Sequence, residues 1–171
     1  VQSAIQQMLG DVEWGELDVL VVDLPPGTGD AQLTMAQKVP LTGAVIVSTP
    51  QDIALLDARK AINMFRKVDV PILGIVENMS YFCCPSCGHR AEIFAHGGAR
   101  ACAEQFGVDF LAEIPLDLRT REASDDGRPI VATEPRSHQA EAYRNLALSV
   151  RDKLVAGAGG GTRPFPKIVY Q

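Results

Sequence analysis

The segment that most constrains this chain is Leu17-Asp18-Val19-Leu20-Val21-Val22, five apolar residues in six with no alternation. A run without a two-residue period suits a strand covered on both faces, which is the situation inside a parallel sheet. Asp23 ends the run, and Pro25, Pro26, Gly27 and Gly29 forbid its continuation. Continuous runs at 43–48, 70–76 and 108–114 predict three more strands of the same kind. Parallel neighbours cannot be joined by a hairpin. The intervening segments must therefore cross over, and right-handed strand-helix-strand crossovers give an α/β, doubly wound, mostly parallel sheet.

The crossovers read as helices. Residues 1–9 carry an amphipathic pattern, and Asp30 is suited to cap a short helix ending before Pro40. Thr49-Pro50-Gln51-Asp52 reads as N-cap, first-turn proline and acidic start of a helix to about residue 67, burying Ile53, Leu56, Ala61, Met64 and Phe65. Residues 79–95 are expected to form an irregular insert, and 97–106 a helix stopped by Gly107. A short helix at 118–123, extended or loop chain at 129–135 and a last helix at 137–155 follow. That last helix should bury Ala140, Tyr143, Leu146, Ala147, Val150 and Leu154. With 171 residues, 46% of them hydrophobic, the chain can build one core over 1–156. Residues 157–171 form a glycine-rich spacer and tail.

Charge narrows the partners. The net charge is −5, and no Lys/Arg cluster provides the footprint of a nucleic-acid or anionic-membrane surface. No apolar run is long enough to span a bilayer, and no leader pattern is visible. Three of the four cysteines fall within 83–87, which suits metal or redox chemistry in a reducing cytosol better than a disulfide framework.

Two places carry chemistry. Open α/β sheets place ligands at the carboxyl ends of their strands, where Asp23 and its Gly/Pro loop are expected. An aspartate there can hold Mg²⁺ in nucleotide hydrolases, or merely cap the turn. Cys84-Pro85-Ser86-Cys87-Gly88 can aim two thiolates at one metal, with glycine taking the tight turn. Zinc and iron-sulfur centres usually want four protein ligands, so the pair is half a site, and a two-fold axis through the metal would complete it. A redox dithiol and a free surface pair are the alternatives. Asn78, at the end of a strand, can meet a purine edge or form a turn. His89 and His96 read as solvated or hydrogen-bonded side chains, Cys83 as a reactive thiol, Cys102 as a small buried hydrophobe, and Asp52 and Asp57 as surface charges.

Asp23-Leu24-Pro25-Pro26-Gly27-Thr28-Gly29-Asp30 resembles the switch II string of the Mrp/ApbC group of P-loop ATPases, iron-sulfur cluster carriers related to MinD and the nitrogenase iron protein. The strings at 39–44, 49–60 and 74–82 resemble the same group, and the similarity runs over about 1–154. The resemblance implies a SIMIBI-like P-loop fold, incomplete at its N-terminal end because no Gly-x-x-x-x-Gly-Lys-Ser/Thr string occurs in this sequence. It implies ATP hydrolysis in a longer protein, with the present portion inactive by itself. Asp23 would orient Mg²⁺, Gly27, Thr28 and Gly29 would follow the γ-phosphate, and Asn78 and Pro115 would face adenine. Cys84 and Cys87 would share a labile [4Fe–4S] cluster, or zinc in its place, across a homodimer that serves apo iron-sulfur clients in the cytoplasm. A MinD-like positioning ATPase would need a basic amphipathic C-terminal helix, which the spacer and prolines do not provide. The nitrogenase iron protein holds its cluster on widely separated cysteines. A non-enzymatic zinc-bridged dimer is the competitor of a different class.

Overall fold

The computed structural model describes residues 7, 11–24, 29, 32, 33, 35, 36, 39 and 41–158. Three parallel strands form the frame: β1 (Ala44–Ser48), β2 (Ile72–Cys83) and β4 (Phe110–Leu116), with β2 in the middle. A two-residue strand β3 (Arg90–Ala91) pairs antiparallel with the far end of β2. The register sets Ile46 opposite Ile75 and Ser48 opposite Glu77, while on the other edge Glu77 faces Glu113 and Asn78 faces Ile114.

Helix α1 (Asp52–Lys67) crosses from β1 to β2 and α2 (Gly98–Phe106) leads into β4. Ile46, Leu55, Ile62, Phe65, Ile75 and Cys102 belong to one core. Burying a large aliphatic residue such as Ile62 or Ile75, both 0% exposed, stabilises by roughly 1.5–3 kcal/mol. The α2 face in this core is Ala99, Cys102 and Ala103, small enough for close packing. At Gly98 a Cβ would lie 2.6 Å from Leu55 Cδ1 and 2.7 Å from the Pro50 carbonyl oxygen, so only glycine allows α2 to approach the start of α1. After β4 come α3 (Leu118–Asp125), the one-turn α4 (Ile130–Thr133) and the long α5 (His138–Ala158), which packs along β4.

Several expectations are corrected. Residues 17–24 adopt no strand, and Leu17, Val19, Leu20, Val21 and Val22 are exposed, Val21 by 86%. A doubly covered strand needs a neighbour to bond its backbone, and among the described residues no strand pairs with this segment. Leu24 alone packs against the core. The α1 stripe is Leu55, Ala58, Ile62, Met64 and Phe65, leaving Ile53 and Leu56 exposed; contact with Gly98 turns the Leu55 side inward. The N-cap of α1 is Gln51, whose amide oxygen accepts from the Thr49 hydroxyl at 2.7 Å, and no side chain caps the helix.

The region 79–95 is not wholly irregular, because β2 runs on to Cys83 and folds back through β3. Residues 130–133 form a helical turn rather than extended or loop chain, and α5 reaches through Gly157. Of the face expected on that helix, Ala140 is buried, Tyr143, Leu146, Val150 and Leu154 are half-buried, and Ala147 is exposed. The helix expected at 1–9 falls almost wholly outside the described residues, as does Asp30.

Candidate metal centre and strand-end site

The two cysteines sit at the tip of the β2–β3 hairpin, and the turn is built by its own backbone. The Cys84 N–H donates to the His89 carbonyl at 2.9 Å, and the Gly88 N–H donates to the Cys84 carbonyl at 2.8 Å. Gly88 takes φ 72°, a left-handed conformation that a side chain would strain. The backbone N–H groups of Cys87 and then Ser86, followed by the Cys87 thiol, point at the Cys84 sulfur and hold its pKa below the ordinary thiol value. That arrangement favours a thiolate, the form that binds metal. Cys83 and Cys87 are exposed, Cys84 is half-buried and Cys102 is buried, and all four are free. His89 contributes its backbone to the turn.

Among the described residues no group of three or more His, Cys, Asp or Glu side chains is placed to hold a metal ion. The cysteine pair therefore offers two soft donors with their hydrogen-bonding amides, which fits zinc or an iron-sulfur centre once two further thiolates arrive from elsewhere.

Asn78 and Pro115 lie on the neighbouring strands β2 and β4. Asn78 lies opposite Ile114 and Pro115 is the next residue of β4, buried within the strand. The Asn78 carbonyl oxygen Oδ1 accepts from the Met79 N–H at 3.0 Å, and Met79 has φ 53°. Asn78 therefore lies within β2 rather than at a strand end, because the strand runs on past left-handed Met79 to Cys83. One residue past the end of β4, Asp117 caps α3 by accepting from the Arg119 and Thr120 N–H groups at 2.9 and 3.2 Å, and accepts from Gln139 Nε2 at 2.7 Å.

The structure does not join Asp23 to these strands through a strand of its own, since Asp23 is exposed in irregular chain. The Gly29 carbonyl accepts from the Leu33 N–H at 3.2 Å. Gly27 and Thr28 lie outside the described residues.

Glu77 is the residue that sequence reasoning missed. It is 0% exposed and accepts from Ser80 Oγ at 2.6 Å, the Gly97 N–H at 3.0 Å and the Ala99 N–H at 2.8 Å. Burial pushes its pKa up, but Ser80, Ala99, Gly97 and nearby His96 outweigh burial and hold it below the ordinary value. The carboxylate completes the N-terminus of α2, whose N-cap Gly97 has no side chain to offer. That missing local cap was the available signal.

Parallel strands joined by helical crossovers, with polar groups at their carboxyl ends, are the architecture of the P-loop NTPases, here carrying an added thiol hairpin. Residues 1–151 match a ParA family model described as NUBPL iron-transfer P-loop NTPase, and the chain belongs to that family. The iron-sulfur cluster transfer protein NUBPL of Dictyostelium discoideum is 55% identical over 154 residues, 90% of this chain and 48% of that protein. An iron-sulfur cluster carrier protein of Pyrococcus horikoshii is 51% identical over 162 residues, 94% of this chain and 55% of that one. A solved nucleotide-binding protein from Archaeoglobus fulgidus, in complex with ADP and with cobalt found by PIXE, superposes with a TM-score of 0.71. It is 46% identical, over 82% of this chain and 56% of that structure. The chain spans about half the length of the curated relatives it matches.

Proposed function

We propose that this chain is the cluster-holding portion of an ATP-dependent iron-sulfur carrier that binds a labile [4Fe–4S] cluster across a homodimer and delivers it to apo-proteins in the cytoplasm. The carrying observation is the half cage: an amide-stabilised Cys84 sulfur beside Cys87 at an exposed hairpin tip, with no third donor gathered among the described residues. Two copies related by a two-fold axis supply four thiolates. The names of the relatives support iron-sulfur cargo.

Asn78 and Pro115 face the base in this reading, Gly27, Thr28 and Gly29 follow the γ-phosphate, and Asp23 orients Mg²⁺, which neutralises charge developing on the phosphates. β2 then connects the two functions directly, since it carries Asn78 in its middle and ends at the cysteine turn. Without a P-loop the 171 residues alone are expected to hydrolyse no ATP.

The test is cluster delivery by the intact protein to an apo [4Fe–4S] acceptor, with and without Mg-ATP. ATP should change the transfer rate of the wild type, and Asp23→Asn should hold cluster but lose that response. Equal transfer rates for Asp23→Asn and wild type under both conditions would refute the ATP-coupled reading, and zinc alone on the purified pair after anaerobic reconstitution would favour a structural zinc bridge.

A further inference from the structure

β2 stays in the sheet as far as Phe82, which pairs with Leu116 of β4, but the return strand of the cysteine hairpin is held by very little backbone. Only Phe82 with Ala91 and Cys83 with Arg90 pair between β2 and β3, and a strand pairing of that size is marginal without side-chain support. One side chain provides it. Arg90 lays its guanidinium over the Tyr81 ring, 3.8 Å from the centroid, and Tyr81 is buried. Its Nη2 donates to Glu113 Oε2 on β4 at 3.5 Å and meets His96 Nε2 at 3.1 Å.

These partners are themselves fixed. Glu113 Oε1 also takes Arg100 Nη2 of α2 at 3.3 Å, and His96 Nδ1 lies 3.7 Å from the buried Glu77 carboxylate. Arg90 therefore joins the return strand of the hairpin to β2, to β4 and to the segment before α2.

We infer that Arg90 is a positioning residue for the metal centre, seating the hairpin so that Cys84 and Cys87 point where a second copy can complete the cage. The inference rests on the reading of those cysteines as ligands. Arginine suits the task because its planar fork can stack on Tyr81 while its edge reaches Glu113 and His96; lysine offers one mobile point charge. Groups that orient metal ligands typically change metal affinity about 10–100-fold when removed.

The experiment titrates Co²⁺ into the reduced intact protein and follows the thiolate-to-cobalt absorption band, with thermal unfolding of each apo-protein alongside. Arg90→Met, which keeps an apolar stem over Tyr81, should weaken Co²⁺ binding about 10–100-fold with its apo unfolding midpoint near that of wild type. Arg90→Lys should recover part of the loss. A purely structural role would lower the midpoint of both variants in step with affinity, and that result overturns the inference, as does Co²⁺ binding of wild-type strength in Arg90→Met. A wild type with no thiolate band, or one whose band survives Cys84→Ser with Cys87→Ser, brings down the ligand reading itself together with the inference.

Discussion

Replacing Glu77 isolates the interaction on which the middle of the fold turns. Its carboxylate accepts three hydrogen bonds at 2.6–3.0 Å from Ser80, Gly97 and Ala99 while 0% exposed. Glu77→Ala leaves two backbone donors at the start of α2 and the Ser80 hydroxyl of β2 without this acceptor, and each buried donor left unsatisfied costs about 1–3 kcal/mol. Glu77→Gln preserves shape but not charge, and should cost about 1–3 kcal/mol. Against a typical total of about 5–15 kcal/mol, the alanine variant is expected near the edge of folding.

Urea unfolding of the intact protein at neutral pH reads both values, and a pH series adds an independent arm. The folded pKa of Glu77 lies below its ordinary 4.5, so the unfolded chain binds more protons and stability falls as pH falls. The stabilisation is complete above the unfolded value and disappears as pH drops through the folded one. The gap between wild type and Glu77→Gln should therefore narrow below about pH 4.5. A glutamine variant within about 0.5 kcal/mol of wild type at pH 7, the range of an ordinary surface change, would show that the buried carboxylate does not hold α2.

Three further outcomes are expected. Asp117→Ala removes the α3 cap and the Gln139 contact, and should lower stability by about 0.5–2 kcal/mol in a urea titration. Gly98→Ala must push a methyl against Leu55 and the Pro50 carbonyl; a loss of about 1–3 kcal/mol should appear in thermal unfolding, and an unchanged midpoint would mean that the helices separate freely. Cys84 should alkylate at lower pH than an ordinary thiol, because the Cys87 and Ser86 amides favour its thiolate. Peptide mapping after iodoacetamide treatment, with buried Cys102 as the unreactive internal reference, reads this directly.

What sequence reveals here depends on whether the cause is local. The run at 43–48 and the stop at Gly107 are legible because β propensity and a left-handed cap act within a few residues. The cysteine turn is legible for the same reason, since its bonds close between residues 84 and 89. The segment 17–22 announces a need for burial but not the partner that would meet it, and among the described residues none does. The extension of β2 past Met79 hides behind a left-handed residue that ordinarily ends a strand. Glu77 reads as a polar strand end because the amides it serves lie 20 and 22 positions further along the chain. Arg90 looks like a surface charge until β2, β3 and β4 bring Tyr81 and Glu113 beneath it.

Native mass spectrometry of the anaerobically reconstituted intact protein, wild type beside a Cys84→Ser/Cys87→Ser variant, weighs the shared-cage account most directly. The account predicts wild-type pairs carrying one four-iron cluster between two chains, and variant chains with neither cluster nor cluster-dependent pairing. A full cluster on a single chain, or clusters retained by the variant, would contradict it.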